Sequence, residues 1–398
     1  RDLMTGNPVG FELCSGEAWR DPFPMYRSLR DHDPVHRVAG SGSREGFWVL
    51  TRFADVFDAA RDTATFSSAR GLTVEEGAGM DMGEATPLVF LDPPDHTTFR
   101  RLVGPGFTPR QVADIESDVR AFVVDRLERI DEDGGGDIVA ELFKPLPSFV
   151  VAHYLGVPAE DRFHFDQWTE QIVAAAAQGR TGDPTSGIVD LLAYFTDLVE
   201  RRRVEPRGDM VSQLVAMGED TVSIMWILGF AFTMVTGGND TTTGLLGGSA
   251  VLLHQRPDQR RRLVDDPSMI PPAVEELLRL TSPVQNLART TTRDVGLHGT
   301  TIPEGSKVLL SYGAANRDER EFGTDADSLD VGRNPARILS FSYGAHHCLG
   351  AAAARLQGRV VLEELLARFP DFVVDLDDME FATGNYVRRP LNLCFSPR

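Results

Sequence analysis

The chain has 398 residues, of which 42% are hydrophobic and 25% charged, proportions that are ordinary for a globular protein and exclude collagen-like and disordered sequences. Its 40 Lys and Arg residues against 59 Asp and Glu leave a net charge of -19, so its electrostatic field repels nucleic acid and anionic membranes. Three widely separated cysteines, Cys14, Cys348 and Cys394, do not fit a disulfide framework, and we expect a reduced, cytoplasmic protein.

No signal peptide or membrane anchor is predicted. The start of the sequence lacks a basic region followed by an apolar run, and because it also lacks an initiator Met we leave open whether further residues precede it. Residues 221–239 carry no charge, but the strongly apolar core of this stretch, 224–235, is short and has no basic flank. We therefore predict a buried core helix here.

Hydrophobic periodicity predicts the elements in chain order. Short strands are expected at 34–38 and 47–50, and the pattern becomes helical from Thr108, where Thr108 and Pro109 form an N-cap and first turn; apolar residues at helical spacing then run to Ile130. Later elements are helices near 143–155, 187–203, 222–254, 271–280 and 350–369, and strands near 308–311, 372–376 and 391–395. No linker or repeat divides the chain, so we expect one domain, 1–398, mainly α with small β-sheets.

The strongest motif is the segment 341–350, FSYGAHHCLG, directly before a predicted helix. Cys348 would there meet backbone N–H groups and the positive end of the helix dipole, both of which favour the thiolate that binds a soft metal centre. The glycines, Gly350 among them, permit sharp turns and the close approach of a flat ligand. An inert buried cysteine is the alternative, while a zinc site formed by His346, His347 and Cys348 would lack a fourth ligand.

The predicted helix 222–254 has a cluster of glycines at its centre. Each costs about 1 kcal/mol relative to Ala in a helix interior, so the cluster indicates either the approach of a large flat group or a tight helix crossing. Asp240 and Thr241 place an acid and a hydroxyl in this apolar stretch, which suggests a role in proton transfer. A Thr that bonds to the preceding turn and bends the helix is the simpler alternative. The glycines are Gly237, Gly238, Gly244, Gly247 and Gly248.

Two further pairs of charged residues have helical spacing. Glu276 and Arg279 lie three apart on one predicted helix face, a common pattern whose significance comes from its place between Asp240 and Cys348. His96 and Arg100 lie four apart and would share a face suited to binding an anionic group.

In this order of motifs the chain resembles the soluble bacterial cytochrome P450 family of haem-thiolate monooxygenases over essentially its whole length. The resemblance implies a haem b cofactor with Cys348 as the axial ligand of the iron. It also implies that Asp240 and Thr241 deliver protons for oxygen activation, with Gly237 and Gly238 beside the haem face. The haem propionates would be held by His96, Arg100, Arg289 and His346, and a structural ion triad behind the haem would be formed by Glu276, Arg279 and Arg333. Ser342 stands where the family usually has Gly.

The resemblance implies insertion of one oxygen atom of O2 into a C–H bond or double bond of a lipophilic small molecule, of terpenoid, fatty-acyl, steroid or polyketide type. Electrons would come from NAD(P)H through a separate ferredoxin and ferredoxin reductase. We expect the ferredoxin to dock on a basic patch formed by Arg355, Arg359 and Arg110, with a merely solvated arginine face as the alternative. We expect a monomer that binds no nucleic acid. The predicted substrate-lining segments are the loops 67–92 and 174–187, with 230–238, 284–287 and 384–386, and the residues Val89, Phe90, Phe230, Val284, Leu287 and Asn385.

Three alternatives to this interpretation remain. A peroxide-using haem-thiolate enzyme would not need Asp240 and Thr241. A haem-based gas sensor or other non-catalytic haem protein would be favoured by a missing acid and alcohol or by a fused signalling domain. A helical scaffold without haem would require the ordered motifs to be accidental.

Overall fold

The computed structural model describes residues 10–42, 44–75, 83, 86–177 and 186–398. Helices dominate this part of the chain, which confirms the predicted fold class. In chain order they are α1 (Phe23–His32), α2 (Phe53–Arg61), α3 (Asp95–Val103), α4 (Pro109–Ala113), α5 (Glu116–Glu132), α6 (Pro145–Leu155), α7 (Arg162–Ala177), α8 (Ser186–Val204), α9 (Met210–Ala216), α10 (Ile224–Gln255), α11 (Pro257–Asp265), α12 (Ile270–Thr281), α13 (Tyr312–Ala315), α14 (Glu319–Phe322) and α15 (Ala351–Arg368).

The strands are short and form small sheets. They are β1 (Val35–Val38), β2 (Phe47–Leu50), β3 (Phe66–Ser67), β4 (Gly136–Asp137), β5 (Leu287–Thr291), β6 (Val295–Leu297), β7 (Thr300–Ile302), β8 (Lys307–Leu310), β9 (Val373–Asp375) and β10 (Cys394–Ser396). The largest sheet has the order β1-β2-β8-β5-β3, in which only the pair β2 and β8 is parallel. A second sheet has the order β4-β10-β9, and β6 pairs with β7.

Helix α10 runs through the centre of the helical layer. At 1.5 Å per residue its 32 residues span about 48 Å. Its first half packs with α7, α8 and α9 in one apolar cluster, and its second half packs with α5, α6, α12 and α15 in another. No helix in the described part of the chain is long and apolar enough to cross a membrane, and the uncharged stretch 221–239 contributes to the buried core, as predicted.

Most of the predicted elements are confirmed, with differences at their ends. The Thr108 side chain accepts from the Gln111 N–H as the predicted N-cap, but the helix expected to run to Ile130 is broken between α4 and α5. The strand predicted at 391–395 begins only at Cys394. Helices α1, α2, α7, α9, α11, α13 and α14 and strands β3 to β7 were not predicted. The predicted loops 67–92 and 174–187 lie partly outside the described residues.

A buried ion network joins α12 to the loop before the cysteine segment. Arg279 and Glu276 are both fully buried and form two hydrogen bonds of 2.7 and 2.8 Å. Arg279 also donates to the Asn316 and Ala326 carbonyls at 2.7 and 2.6 Å, and Arg333 Nε donates to Glu276 Oε1 at 3.1 Å. The structure thus brings together the three residues of the expected ion triad, in a network that satisfies their charges within the core.

We predict that Glu276→Gln lowers the free energy of unfolding by about 3–5 kcal/mol, because it leaves the buried Arg279 guanidinium without its charge partner. The measurement is denaturant unfolding of the purified protein. As a control, Asp258→Asn breaks the exposed pair of Asp258 with Arg256 and should have little effect, since exposed pairs contribute little to stability. Equal losses in the two variants would contradict the assignment of Glu276 to a core network.

Candidate active site

The segment 341–350 forms a tight loop that places Cys348 just before α15. The loop is closed by the Cys348 N–H, which donates to the Phe341 carbonyl at 2.9 Å. Gly344 has a positive φ of 73°, and a Cβ there would lie 3.0 Å from Arg61 Cα of α2. Only glycine therefore fits this turn.

Ser342 occupies a backbone conformation that explains why the family usually has glycine at this position. Its φ is +57°, a left-handed value that costs a side-chain-bearing residue about 1–2 kcal/mol. The buried Ser342 hydroxyl accepts from the Tyr312 hydroxyl at 3.1 Å, and this contact partly offsets the strain. The departure from the family pattern therefore leaves the turn intact.

Cys348 is accessible to solvent, yet protein atoms surround it closely enough to desolvate it. A side chain in this situation lines an internal opening. Burial raises the pKa of the Cys348 thiol, while the Gly350 N–H and the charges of Arg100 and Arg355 lower it. The backbone N–H expected from the sequence is therefore present at Gly350, and the charges of Arg100 and Arg355 were not foreseen from the sequence, but together these groups do not outweigh burial.

A cluster of basic groups lies beside Cys348. The His96 and His346 rings are 4.2 Å apart, and the charges of Arg100 and Arg289 act on His346. Burial, followed by those charges, lowers the pKa of His346 to about 3, so this imidazole is neutral. The Arg100 charge also acts on Cys348, which links the cluster to the cysteine loop.

This cluster has no negative partner among the described residues. Neither Arg100 nor Arg289 forms an ion pair with a carboxylate there, although Arg289 is only 3% exposed. The buried Nδ1 atom of His96 also has no hydrogen-bond partner. Buried cations and unsatisfied donors carry a free-energy cost, so the cluster fits a ligand with anionic groups.

The histidines of the loop do not form a zinc site. His346 packs against His96, whereas His347 faces Phe341 with ring centroids 6.1 Å apart. The described part of the chain contains no group of three or more His, Cys, Asp or Glu residues suited to a metal ion. The zinc alternative therefore has no support from the geometry.

The glycines of α10 divide into two sets. A Cβ on Gly237 would have nothing within 4 Å, and this mid-helix residue is exposed, so it faces open space. A Cβ on Gly238 would lie 2.9 Å from Val151 Cγ2 of α6, so Gly238 lets a neighbouring helix pack closely, and its place beside the haem face stays a prediction. The others are packing glycines too: Gly244 and Gly247 face the C-terminal segment and Gly248 faces α12.

Asp240 and Thr241 follow these glycines directly. The Thr241 hydroxyl donates to the Gly237 carbonyl at 2.9 Å, which is the helix-bending geometry named as the simpler alternative and leaves the oxygen able to accept a second bond. The Asp240 carboxylate lies 2.8 Å from Arg389 Nε. Burial raises the pKa of Asp240 above its ordinary value, and Arg389 opposes that rise.

Comparison with known proteins identifies the family. The family model for cytochrome P450 matches residues 268–392. Cytochrome P450 130 of Mycobacterium tuberculosis is 61% identical over 393 residues, which cover 97% of each protein. The chain belongs to the cytochrome P450 family. The vitamin D(3) 25-hydroxylase of Pseudonocardia autotrophica is 37% identical, covering 97% of this chain and 96% of the relative. The solved structure of cytochrome P450 CYP109Q5 from Chondromyces apiculatus is 34% identical, with a TM-score of 0.86 and 96% of each chain covered.

P450 enzymes are monooxygenases with a haem-thiolate cofactor, and the residues present here fit that group. The fit rests on the thiol at the start of α15, the open space at Gly237 and the basic cluster that lacks an anion. Haem is flat and carries two anionic propionates, so it matches the space and the charge together.

The expected substrate-lining residues differ in how deeply they are buried. Val284 and Leu287 are half-buried, and both residues between them are buried. Val89 and Phe90 are half-buried in a short 3-10 turn. Phe230 is only 3% exposed and stacks on Trp226, with ring centroids 5.5 Å apart. The structure therefore corrects the assignment of Phe230, which is a core residue.

Asn385 connects two of the predicted substrate-lining segments. Its side-chain amide donates to Glu75 Oε1 at 3.3 Å, which joins the turn at 384–386 to the loop that begins at residue 67.

The expected ferredoxin-docking patch on α15 is largely neutralised. Arg355 makes a two-pronged ion pair with Glu275, and Arg359 pairs with Glu116 at 2.6 Å and Glu363 at 3.2 Å. Arg110 is exposed and has no partner among the described residues. The sequence suggested three free cations on this face, and the structure leaves only Arg110.

Sequence reasoning missed three residues that contact the site. Arg389 pairs with Asp240, the Ser68 hydroxyl lies 3.3 Å from His346 Nε2, and Lys307 is close enough to Arg289 to feel its charge. One signal was available, because Lys307 is one of only two lysines in a chain that otherwise uses Arg.

We predict that Gly237→Ala is accepted without loss of stability, whereas Gly247→Ala lowers the free energy of unfolding by about 1–3 kcal/mol. A methyl group at 237 meets open space, but at 247 it would lie 2.4 Å from Pro390 Cγ. Thermal unfolding of the two variants against the parent protein measures the difference. Equal destabilisation would contradict the division of the glycines into two sets.

Proposed function

We propose that the chain is a haem b monooxygenase in which Cys348 is the axial ligand of the iron. The observation that carries the proposal is the position of Arg100, whose charge acts both on Cys348 and on the buried basic cluster around His346. Cys348, which is suited to bind a soft metal, and the anion-binding cluster are therefore close enough for the charge of one arginine to act on both. Iron binding would displace the thiol proton.

The basic cluster would hold the propionates. Arg100 and Arg289 would supply charge-assisted hydrogen bonds, and neutral His96 and His346 would each donate one N–H. When bound, a haem with a thiolate ligand favours O–O cleavage, which permits insertion of one oxygen atom of O2 into the substrate.

The protein would supply protons through Asp240 and Thr241. Asp240 is the titratable group of α10 at this position, and burial holds its pKa above the ordinary carboxyl value, which makes proton uptake by the carboxylate easier. The Thr241 hydroxyl donates to the Gly237 carbonyl, so its oxygen is oriented as an acceptor.

The substrate class is proposed from the lining and from a relative. Val284 and Leu287 present aliphatic surface from an otherwise buried segment, and Val89 and Phe90 add to it. These residues favour a lipophilic small molecule of terpenoid, fatty-acyl, steroid or polyketide type. The 37% identical relative is named for hydroxylation of vitamin D(3), a lipophilic molecule.

Electrons would reach the site from NAD(P)H through a separate ferredoxin and its reductase. The docking face would include exposed Arg110, while Arg355 and Arg359 would contribute only by exchanging their present partners, Glu275, Glu116 and Glu363. Replacing Arg355 or Arg359 with Glu would therefore break ion pairs within the protein, and this loss would obscure any effect on docking. Arg110→Glu is the cleaner variant, because Arg110 has no partner to lose within the described residues.

We predict that Cys348→His retains haem but loses the strongly red-shifted Soret band of the ferrous CO complex, together with monooxygenation. The band reports thiolate ligation, and imidazole is a different ligand. As a control, Cys394→Ser changes an exposed cysteine in β10 and should leave the band unchanged. A red-shifted band in Cys348→His would remove Cys348 as the ligand.

We predict that Thr241→Ala consumes NAD(P)H through its redox partners but gives less hydroxylated product and more hydrogen peroxide. A general acid–base group contributes about 10² to 10⁴ in rate, and a water molecule that replaces the hydroxyl would restore part of it. Asp240→Asn should mainly slow turnover. Product and peroxide are measured per NAD(P)H consumed.

The control for Thr241→Ala is Thr243→Ala. Thr243 makes the same kind of bond to the preceding turn, to Asn239 O at 3.1 Å, but it is only 1% exposed and also bonds to Phe143 O. Its loss should affect stability and not coupling. Wild-type coupling in Thr241→Ala would return Thr241 to a purely helix-bending role.

A further inference from the structure

The acid of the proposed proton relay has a specific partner. Arg389 Nε lies 2.8 Å from Asp240 Oδ1, and the two side chains are 9% and 22% exposed. Among the described residues the Arg389 side chain has no other charged or hydrogen-bonding partner. Its position is therefore explained by Asp240.

Arg389 reaches Asp240 because the C-terminal segment lies directly on α10. A Cβ on Gly244, one turn beyond Asp240, would lie 2.8 Å from the Arg388 carbonyl and 3.4 Å from Arg389 Cβ. The segment is also held in place by two backbone bonds, Ala382 N–H to Arg389 O at 3.0 Å and Arg388 N–H to Pro283 O at 2.8 Å. The missing side chain at 244 thus permits the ion pair.

Arg389 is also the main charge that acts on Asp240. Burial raises the pKa of Asp240, the Arg389 charge is the largest opposing influence, and Lys144 has a smaller effect in the same direction. Lys144 is itself paired with Glu170 at 2.6 Å. The remaining neighbour is Tyr386, whose own pKa is raised by burial and by the Asp240 charge. Removal of the Arg389 charge would therefore leave Asp240 with little to stabilise its ionised form.

We propose that Arg389 is a positioning residue for proton delivery, whose guanidinium holds the Asp240 carboxylate ionised and turned toward the C-terminal segment until a proton arrives. This inference rests on the proposed function, because it requires Asp240 to deliver protons. A proton from solvent water converts the carboxylate to a carboxylic acid, which weakens its attraction to Arg389 and frees it to turn and donate that proton to the Thr241 oxygen. Thr241 would in the same step pass its own hydroxyl proton on toward the reacting site and remain neutral. Loss of the proton restores the charge and the ion pair.

The test follows the protonation of Asp240 directly, in the haem-loaded protein. The carboxyl C=O stretch of Asp240 is the infrared band that Asp240→Asn removes, and its disappearance with rising pH gives a midpoint. In Arg389→Gln the midpoint should move to higher pH, because a carboxyl without its cation keeps its proton longer. Arg389→Lys should restore it toward the wild-type value.

We expect the same variants to change both the pH dependence of turnover and its rate at neutral pH. The limb of the pH profile of turnover that belongs to Asp240 should move to higher pH in Arg389→Gln, together with the infrared midpoint. Turnover at neutral pH should fall about 10-fold, less than the about 10² to 10⁴ expected from an acid–base group itself.

Two pairs of matched variants separate positioning from general effects. Arg388→Gln removes the same charge from the adjacent residue, whose Nε donates to the Trp19 carbonyl at 2.6 Å, and it should leave the midpoint unchanged. Gly244→Ala should raise the midpoint with Arg389 intact, because the methyl group pushes the C-terminal segment off α10. Gly248→Ala should not, because its methyl group would instead meet Thr281 Cγ2, at 2.7 Å.

An unchanged midpoint in a folded Arg389→Gln overturns the proposal, as do equal shifts in Arg388→Gln and Arg389→Gln. If Arg389→Gln fails to fold, the comparison of Gly244→Ala with Gly248→Ala tests the proposal instead. Equal infrared midpoints in those two variants overturn the proposal. Failure of the proposed function looks different, because the red-shifted CO band would then be absent from the wild-type protein. A normal CO band with an unmoved midpoint leaves the monooxygenase intact and removes only the role of Arg389.

Discussion

The rest of the structure depends on the burial of one long helix that also carries polar groups. Helix α10 lies in both large apolar clusters, so every polar side chain on it needs a partner within the helix or from a neighbour. Its hydroxyl and amide groups mostly donate to the carbonyl one turn earlier, as Thr233, Asn239 and Thr241 do. Asp240 cannot be satisfied in this way, since a carboxylate only accepts. Its charge is instead met by a cation from elsewhere in the chain, Arg389, which the C-terminal segment brings to it.

The glycines of α10 serve two different purposes that the sequence does not distinguish. At Gly237 the absence of a side chain leaves open space on the side where a flat cofactor fits, whereas at Gly244 and Gly247 it lets the C-terminal segment approach. A glycine thus leaves space for a ligand at one position of α10 and permits close packing at others, within three turns of the same helix. This division also explains how α10 tolerates so many glycines: the loss of helix propensity is offset by close packing at most of these positions and by ligand space at one.

The sequence allowed the fold class and the order of the chemical motifs to be predicted, because those depend on residue type and local spacing. Cys348 could be found from its own loop and the next helix. Arg389 could not, because its role depends on a contact made across a large separation in the chain, at a position permitted by Gly244. The expected docking patch failed for the same reason: Arg359 meets Glu116 at a separation of 243 residues. Periodicity also missed α1 and α2, which are short helices with neighbouring strands.

The distribution of charge connects stability to cofactor binding. The chain has a net charge of -19, yet the buried Arg289 and the half-buried Arg100 have no carboxylate as an ion-pair partner among the described residues. Burial together with the charges of Arg70 and Arg289 also lowers the pKa of nearby Lys307 to about 8. Surface carboxylates cannot compensate these cations, since water screens them over a short distance. The cost of burying the cations without a partner must therefore be offset by something that binds the folded state. An anionic cofactor that bound these cations would stabilise the fold by its binding free energy, so the folded protein would depend on that cofactor.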